Sequence, residues 1–105
     1  MPGTAHVPLI VVASQVGSTA DQVAARFRRK GAVVYPTHSA QGCLRVATSI
    51  GPDMVVIDPE LWSPRLERLL RAHPTSAHAR LRALTAEDLR EAVPAPATAP
   101  IAAAA

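Results

Sequence analysis

GPDMVVIDPE, residues 51–60, decides the fold. A turn, Gly51-Pro52-Asp53, runs into four apolar residues, Met54-Val55-Val56-Ile57, and these end at Asp58 directly before Pro59. A short apolar run bounded by turn residues, with no polar alternation, is the pattern of a strand buried on both faces. Such strands occur where helices cover both sides of a parallel sheet. The pattern therefore places Asp58 at the carboxyl end of a central strand, the end at which open α/β sheets carry their functional groups.

Outward from this strand, the chain reads as an alternation. Residues 7–13 (VPLIVVA) form a first strand, with Pro8 at its start where a missing N–H is tolerated. A helix follows. Ser18 is its expected N-cap, Asp21 the capping-box partner, and Ala20, Val23, Ala24 and Phe27 its buried stripe at i, i+3, i+4, i+7. Arg26, Arg28, Arg29 and Lys30 crowd its last turn before Gly31. Residues 32–35 form a second strand closed by Pro36. Ser39 caps a second helix running to Ile50, with Cys43, Leu44, Ala47 and Ile50 inward and Gly51 as the stop. After the decisive strand and a loop over residues 59–62, Ser63 and Pro64 open a third helix, proline's fixed φ suiting the first helical position. Leu66, Leu69 and Leu70 are expected inward, and Glu67 and Arg71 form an i, i+4 pair. Residues 80–84 (RLRAL) alternate as an edge strand would, with Leu81 and Ala83 inward and Arg80 and Arg82 guarding the edge; a helix is the competing assignment. Thr85 caps a last short helix with Glu87 and Asp88 in its first turn and Leu89 and Val93 apolar. Residues 1–93 are thus expected as one α/β domain, and residues 94–105 as an Ala/Pro-rich tail or linker. Right-handed crossovers turn this order into a three-layer, doubly wound parallel sheet of four strands, order 2-1-3-4, with helices on both faces.

Composition narrows the class. The 105 residues are 49% hydrophobic but only 3% aromatic, so the core is built from Val, Leu, Ile and Ala. The net charge of +3 rests on ten Arg and a single Lys, with no Asn, a bias in keeping with genome composition. One cysteine, Cys43, cannot close an internal disulfide, which favours a reducing compartment. No basic leader precedes the first apolar run, and that run is too short to span a bilayer. A cytoplasmic protein with no transmembrane segment is the expectation.

PDMVVIDPEL and LLRAHPTSAHARLRALTAED, together with PLIVVAS and RRKGAVV, resemble the response-regulator receiver domain, which has the flavodoxin-like fold and is a bacterial cytoplasmic module. The similarity covers about residues 8–92, with matches at Asp58, the family's phospho-acceptor, and at Thr85, its switch-type hydroxyl. The chain also departs from that pattern. Receivers carry an acidic pair after the first strand that holds Mg²⁺; here the positions are Ala13 and Ser14, or Ser14 and Gln15. Receivers end with a fifth strand bearing a lysine; this chain reaches Pro94 without one, and its only lysine is Lys30. The loop after Asp58 is shorter and lacks the family's glycine. Phosphoryl transfer depends on metal and cation to stabilise charge. The resemblance, with these losses, implies a degenerate receiver that keeps the scaffold and not the chemistry.

Each remaining signal has a plain alternative. Asp58 is either a phospho-acceptor or a carboxylate capping the loop that follows it through backbone N–H groups. Gly17-Ser18-Thr19 opens a helix, but no GxGxxG or GxxxxGK[ST] accompanies it, so simple capping is favoured over anion binding. The basic patch Arg26, Arg28, Arg29 and Lys30 either touches nucleic acid or complements the helix dipole, and the absence of an aromatic platform favours the dipole. His6, His38, His73 and His78 have no metal-ligand spacing, and Ser14, Ser39 and Cys43 no nucleophile setting. Trp62 is a core plug or an exposed anchor.

The sequence thus points to a non-enzymatic receiver-like interaction module, an adaptor or accessory subunit of a larger assembly, with no cofactor, no metal and no small-molecule substrate. A protein partner would be met through Trp62, through Arg80 and Arg82 on the open fourth-strand edge, or through Pro94, Pro96 and Ile101 in the tail. The alternatives are a phospho-accepting receiver using Asp58 and a nucleic-acid-binding accessory protein using residues 26–30.

Overall fold

The computed structural model describes residues 7–88. Leu89, Val93, the domain boundary at residues 93–94, and the tail residues Pro94, Pro96 and Ile101 lie outside the described residues. The elements are β1 (Leu9–Ala13), α1 (Gly17–Arg29), β2 (Val33–Thr37), α2 (Ala40–Ile50), β3 (Met54–Ile57), α3 (Pro64–Ala72) and β4 (Arg80–Ala83). All strands are parallel, in the order β2-β1-β3-β4.

Strand alternation divides the core into two layers. Ile10, Val12, Val34 and Val56 face α1 and meet Ala20, Val23, Ala24 and Phe27. Val11, Ala13, Val55 and Ile57 face the opposite side and meet Cys43 and Ala47 of α2 and Leu66 and Leu70 of α3. The result is a three-layer α/β fold: α1, the sheet, then α2 with α3. β1 and β3, covered on both sides, have Val11, Val12, Ala13, Val55, Val56 and Ile57 fully buried. Each of the valines and Ile57 contributes on the order of 1.5–3 kcal/mol by leaving water, and Ala13 about 0.8 kcal/mol.

Several local expectations need correction. β1 begins at Leu9, not residue 7, because its register with β2 starts at Leu9 opposite Val33. α1 begins at Gly17 after Val16, with no side-chain cap, so Ser18 lies inside the first turn. The turn is set from before the helix: the Val16 N–H donates to Ser14 Oγ at 3.2 Å, and the Ala20 N–H closes on Val16 O. β2 runs through Pro36 to Thr37. The N–H of Val33 donates to Pro8 O and Thr37 O accepts from Ser14, so Pro36 points its missing donor away from β1 and breaks no ladder bond. In α3, Leu66 and Leu70 are buried but Leu69 is 40% exposed; it lies on the flank toward α2 rather than over the sheet. The Glu67–Arg71 pair is replaced. Glu67 Oε1 accepts from the Trp62 indole N–H, and Arg71 donates to the carbonyls of Ala77 and Ala79.

The caps at Ser39 and Ser63 form as expected, each hydroxyl accepting an N–H three residues on. α2 ends in Gly51, whose φ of 64° is left-handed, and a Cβ built there lies 3.2 Å from Thr75 O. Gly51→Ala therefore adds conformational strain and a contact with rigid backbone. The expected loss is about 1–2 kcal/mol in urea unfolding, with an unchanged slope.

Candidate functional site

β1 and β3 deliver Ser14 and Asp58 side by side at the carboxyl end of the sheet. The Asp58 N–H donates to Ala13 O at 2.8 Å, which carries the ladder one residue past β3. Ser14 is fully buried, and its hydroxyl donates to Asp58 Oδ2 at 3.0 Å. The other carboxylate oxygen, Oδ1, accepts the Glu60 N–H at 3.0 Å. The Asp58 carbonyl accepts from Leu61 and Trp62. Asp58 is thus the organiser of the β3–α3 loop: one oxygen ties it to β1, the other holds the turn.

Magnesium prefers octahedral oxygen coordination with carboxylates among the ligands. Here the position beside Asp58 is taken by a hydroxyl already donating to it, and the described residues contain no group of three or more His, Cys, Asp or Glu able to hold a metal. The donor set does not fit a receiver's Mg²⁺. Lys30 lies just past the carboxyl end of α1, at the amino end of the sheet and away from Asp58. Cys43 is buried among apolar neighbours, which pushes its thiol up to about 11 and keeps it in the poorly nucleophilic protonated form.

Trp62 resolves between its two roles. It is half-buried against the α2–α3 core, and its N–H is satisfied by Glu67.

A second constellation lies on the other face, where β4 meets α1. The residues at β4 form a strand and not a helix. Leu81 packs on the α2–α3 side, but Ala83 on the same side is exposed, a correction to its expected inward role: α3 does not reach it. Arg80 is exposed as expected. Arg82 is not an edge guard. It folds toward α1 and grips Asp88 with two bonds, of 3.0 and 2.8 Å. Asp88 is 5% exposed and is also approached by Arg26 at 3.5 Å. Both guanidinium groups lie over the Phe27 ring, at 5.2 and 5.9 Å from its centre. Thr85 closes a capping box with the same carboxylate: the Thr85 N–H donates to Asp88 Oδ2 at 2.9 Å, and its hydroxyl donates to that oxygen at 3.1 Å. Thr85 is therefore engaged with Asp88 and not aimed at Asp58. The expected basic patch is also divided: Arg26 serves this cluster, and Arg28 donates to the Val34 carbonyl at 2.8 Å. Arg29 and Lys30 remain exposed. The signal for the cluster was present as Thr85 and Asp88 at capping-box spacing; what the sequence did not reveal was that two arginines converge on that carboxylate.

The sheet's two outer edges differ. On β2, the outward backbone groups are those of Val34 and Pro36; Arg28 occupies the Val34 carbonyl, and Pro36 has no N–H. At β4, the N–H of Arg80 donates to Asp53 O just before β3, and the N–H of Leu84, just past β4, donates to Ile57 O. Alternation therefore directs the N–H and C=O groups of Leu81 and Ala83 away from β3, with no partner among the described residues.

Comparison with known proteins agrees with this architecture. No family model matches the chain, and no curated protein does. Among solved structures it is similar to the crystal structure of the N-terminal domain of a response regulator receiver protein from Methanoculleus marisnigri JR1, with a TM-score of 0.64 and 19% identity over 82% of this chain and 76% of that one. The chain thus has a receiver-like, flavodoxin-type fold. No helix among the described residues is long and apolar enough to cross a membrane.

Burial raises the Asp88 pKa, but the Arg82 hydrogen bonds, the Thr85 bonds and the Arg82 charge outweigh it and hold the carboxyl below its usual value. A depressed folded pKa gives stability that is full above the unfolded value of about 3.9 and lost as pH falls through the folded one. Asp88→Asn is expected to cost about 1.5–3 kcal/mol at neutral pH. In urea unfolding across pH, its deficit relative to the parent protein should shrink below about pH 4.

Proposed function

We propose that this chain is a non-catalytic receiver-like module that acts by binding another protein, as an adaptor or accessory subunit. The observation that carries the proposal is the neighbour of Asp58 on β1, a buried hydroxyl, Ser14, and not a second acid. A phospho-acceptor carboxylate receives the phosphoryl group itself and needs a metal and a cation beside it to stabilise the charge of the transferred group. Asp58 has one oxygen bonded to Ser14 Oγ and the other to the Glu60 N–H. Ser14 replaces an acid, and the chain's single lysine follows the carboxyl end of α1. What the fold offers instead is surface, including the outward backbone groups of Leu81 and Ala83 beside exposed Arg80, suited to adding a strand from a partner.

Incubation with Mg²⁺ and a small acyl phosphate, followed by intact-mass measurement, should leave the mass unchanged. A phosphoryl gain that disappears in Asp58→Asn would establish a working receiver and overturn the proposal.

A further inference from the structure

We infer that the groove between the amino-terminal halves of α2 and α3 is a docking site for an acidic amphipathic helix of a partner protein. The cleft has a volume of about 440 Å³ and is lined by Ala40, Gln41, Leu44, Arg65, Leu66 and Leu69, with the Ser63 cap at its end. That volume lies within the roughly 300–1,000 Å³ of ligand-sized clefts. Its floor is aliphatic, and Leu69, 40% exposed, is the one large apolar side chain of either helix left so open.

Charge selects the occupant. Both helices begin at this groove, so two positive helix ends flank it. No acid lines it, and α2 has none in its first turn. Glu67, in the first turn of α3, is held by the Trp62 indole. Arg65 stands in the lining and makes no ion pair with the described residues. Leucines with a cationic rim fit a helix whose apolar i, i+3, i+4, i+7 stripe is flanked by Asp or Glu. A second copy of the chain is disfavoured, since isologous pairing would set Arg65 and helix amino ends against their equivalents. A nucleic acid would leave the leucines without apolar partners, and no aromatic side chain is present for base stacking.

The inference deepens the interaction-module proposal and is separable from it. Asp58 can remain unphosphorylated while the groove binds nothing, or accept a phosphoryl group while the groove binds.

The test is selection of the full chain against a display library of helical peptides with a fixed leucine stripe and flanking positions varied between Glu and Lys. Enriched peptides should be Glu-rich and should shift the amide signals of Ala40, Gln41, Leu44, Leu66 and Leu69. Arg65→Glu and Leu69→Asp, both at exposed positions, should leave the remaining spectrum intact and each weaken binding about tenfold or more. The inference is overturned by Lys-rich or charge-indifferent enrichment, by no enrichment over the Leu69→Asp chain, by shifts that map elsewhere, by a DNA duplex shifting the same residues, or by dimerisation through this face.

Discussion

Everything in this fold depends on the pairing of β1 with β3 between two apolar layers. Residues 10–13 lie opposite residues 54–57 in parallel register, and both strands are covered above and below. A one-residue slip would move every side chain of one strand to the opposite face. Val11 and Val55 would then exchange neighbours with Val12 and Val56. Because all four are valine, side-chain identity alone discriminates weakly between registers. The ends do the discriminating. Asp53 accepts the Leu9 N–H at the amino end, and Ser14 donates to Asp58 at the carboxyl end. Two carboxylates flanking β3, Asp53 before it and Asp58 after it, thus fix its alignment with β1.

That role gives Ser14 and Asp58 a structural reason to be where they are. A carboxylate held by a buried hydroxyl and a turn amide is stabilised as an acceptor by short-range bonds, without metal. The neutral hydroxyl also places no second negative charge beside Asp58 at the carboxyl end of the sheet. The same two bonds therefore tie β3 to β1 and set the path of the β3–α3 loop.

The strands and helices were readable from sequence because each carries a strong local signal: continuous apolar runs for β1 and β3, serine caps and Pro64 for α2 and α3, Gly51 for the end of α2. Failures fell where tertiary contacts outrank local preference. Ser18 had the better capping chemistry, but Ser14, bonded to Asp58 and to the Val16 N–H, sets where α1 begins. Leu69 fits the apolar period of α3, yet only Leu66 and Leu70 are buried, and Leu69 borders the cleft beside Ala40, Gln41 and Leu44 of α2. Arg82 alternates correctly as a strand residue, but its destination depended on Asp88, six positions on, and on Phe27, far away in sequence. No periodicity encodes that meeting.

The Asp88 cluster also bears on what lies beyond β4. By joining Arg82 of β4 to Arg26 of α1, it draws the helical turn at residues 86–88 toward the α1 face. A right-handed crossover extending the sheet past β4 would pass over the face held by α2 and α3, as the connections into β3 and β4 do. The turn after β4 leaves toward the other face. Leu84, in the α1-side core, commits the chain to that direction before Thr85 begins the turn. The ion pairs then hold it there, their hydrogen bonds and charge outweighing the cost of burying Asp88, with the Phe27 ring beneath both guanidinium groups. With the turn at residues 86–88 held on the α1 side, the outward backbone of Leu81 and Ala83 and the Ala83 side chain stay uncovered among the described residues.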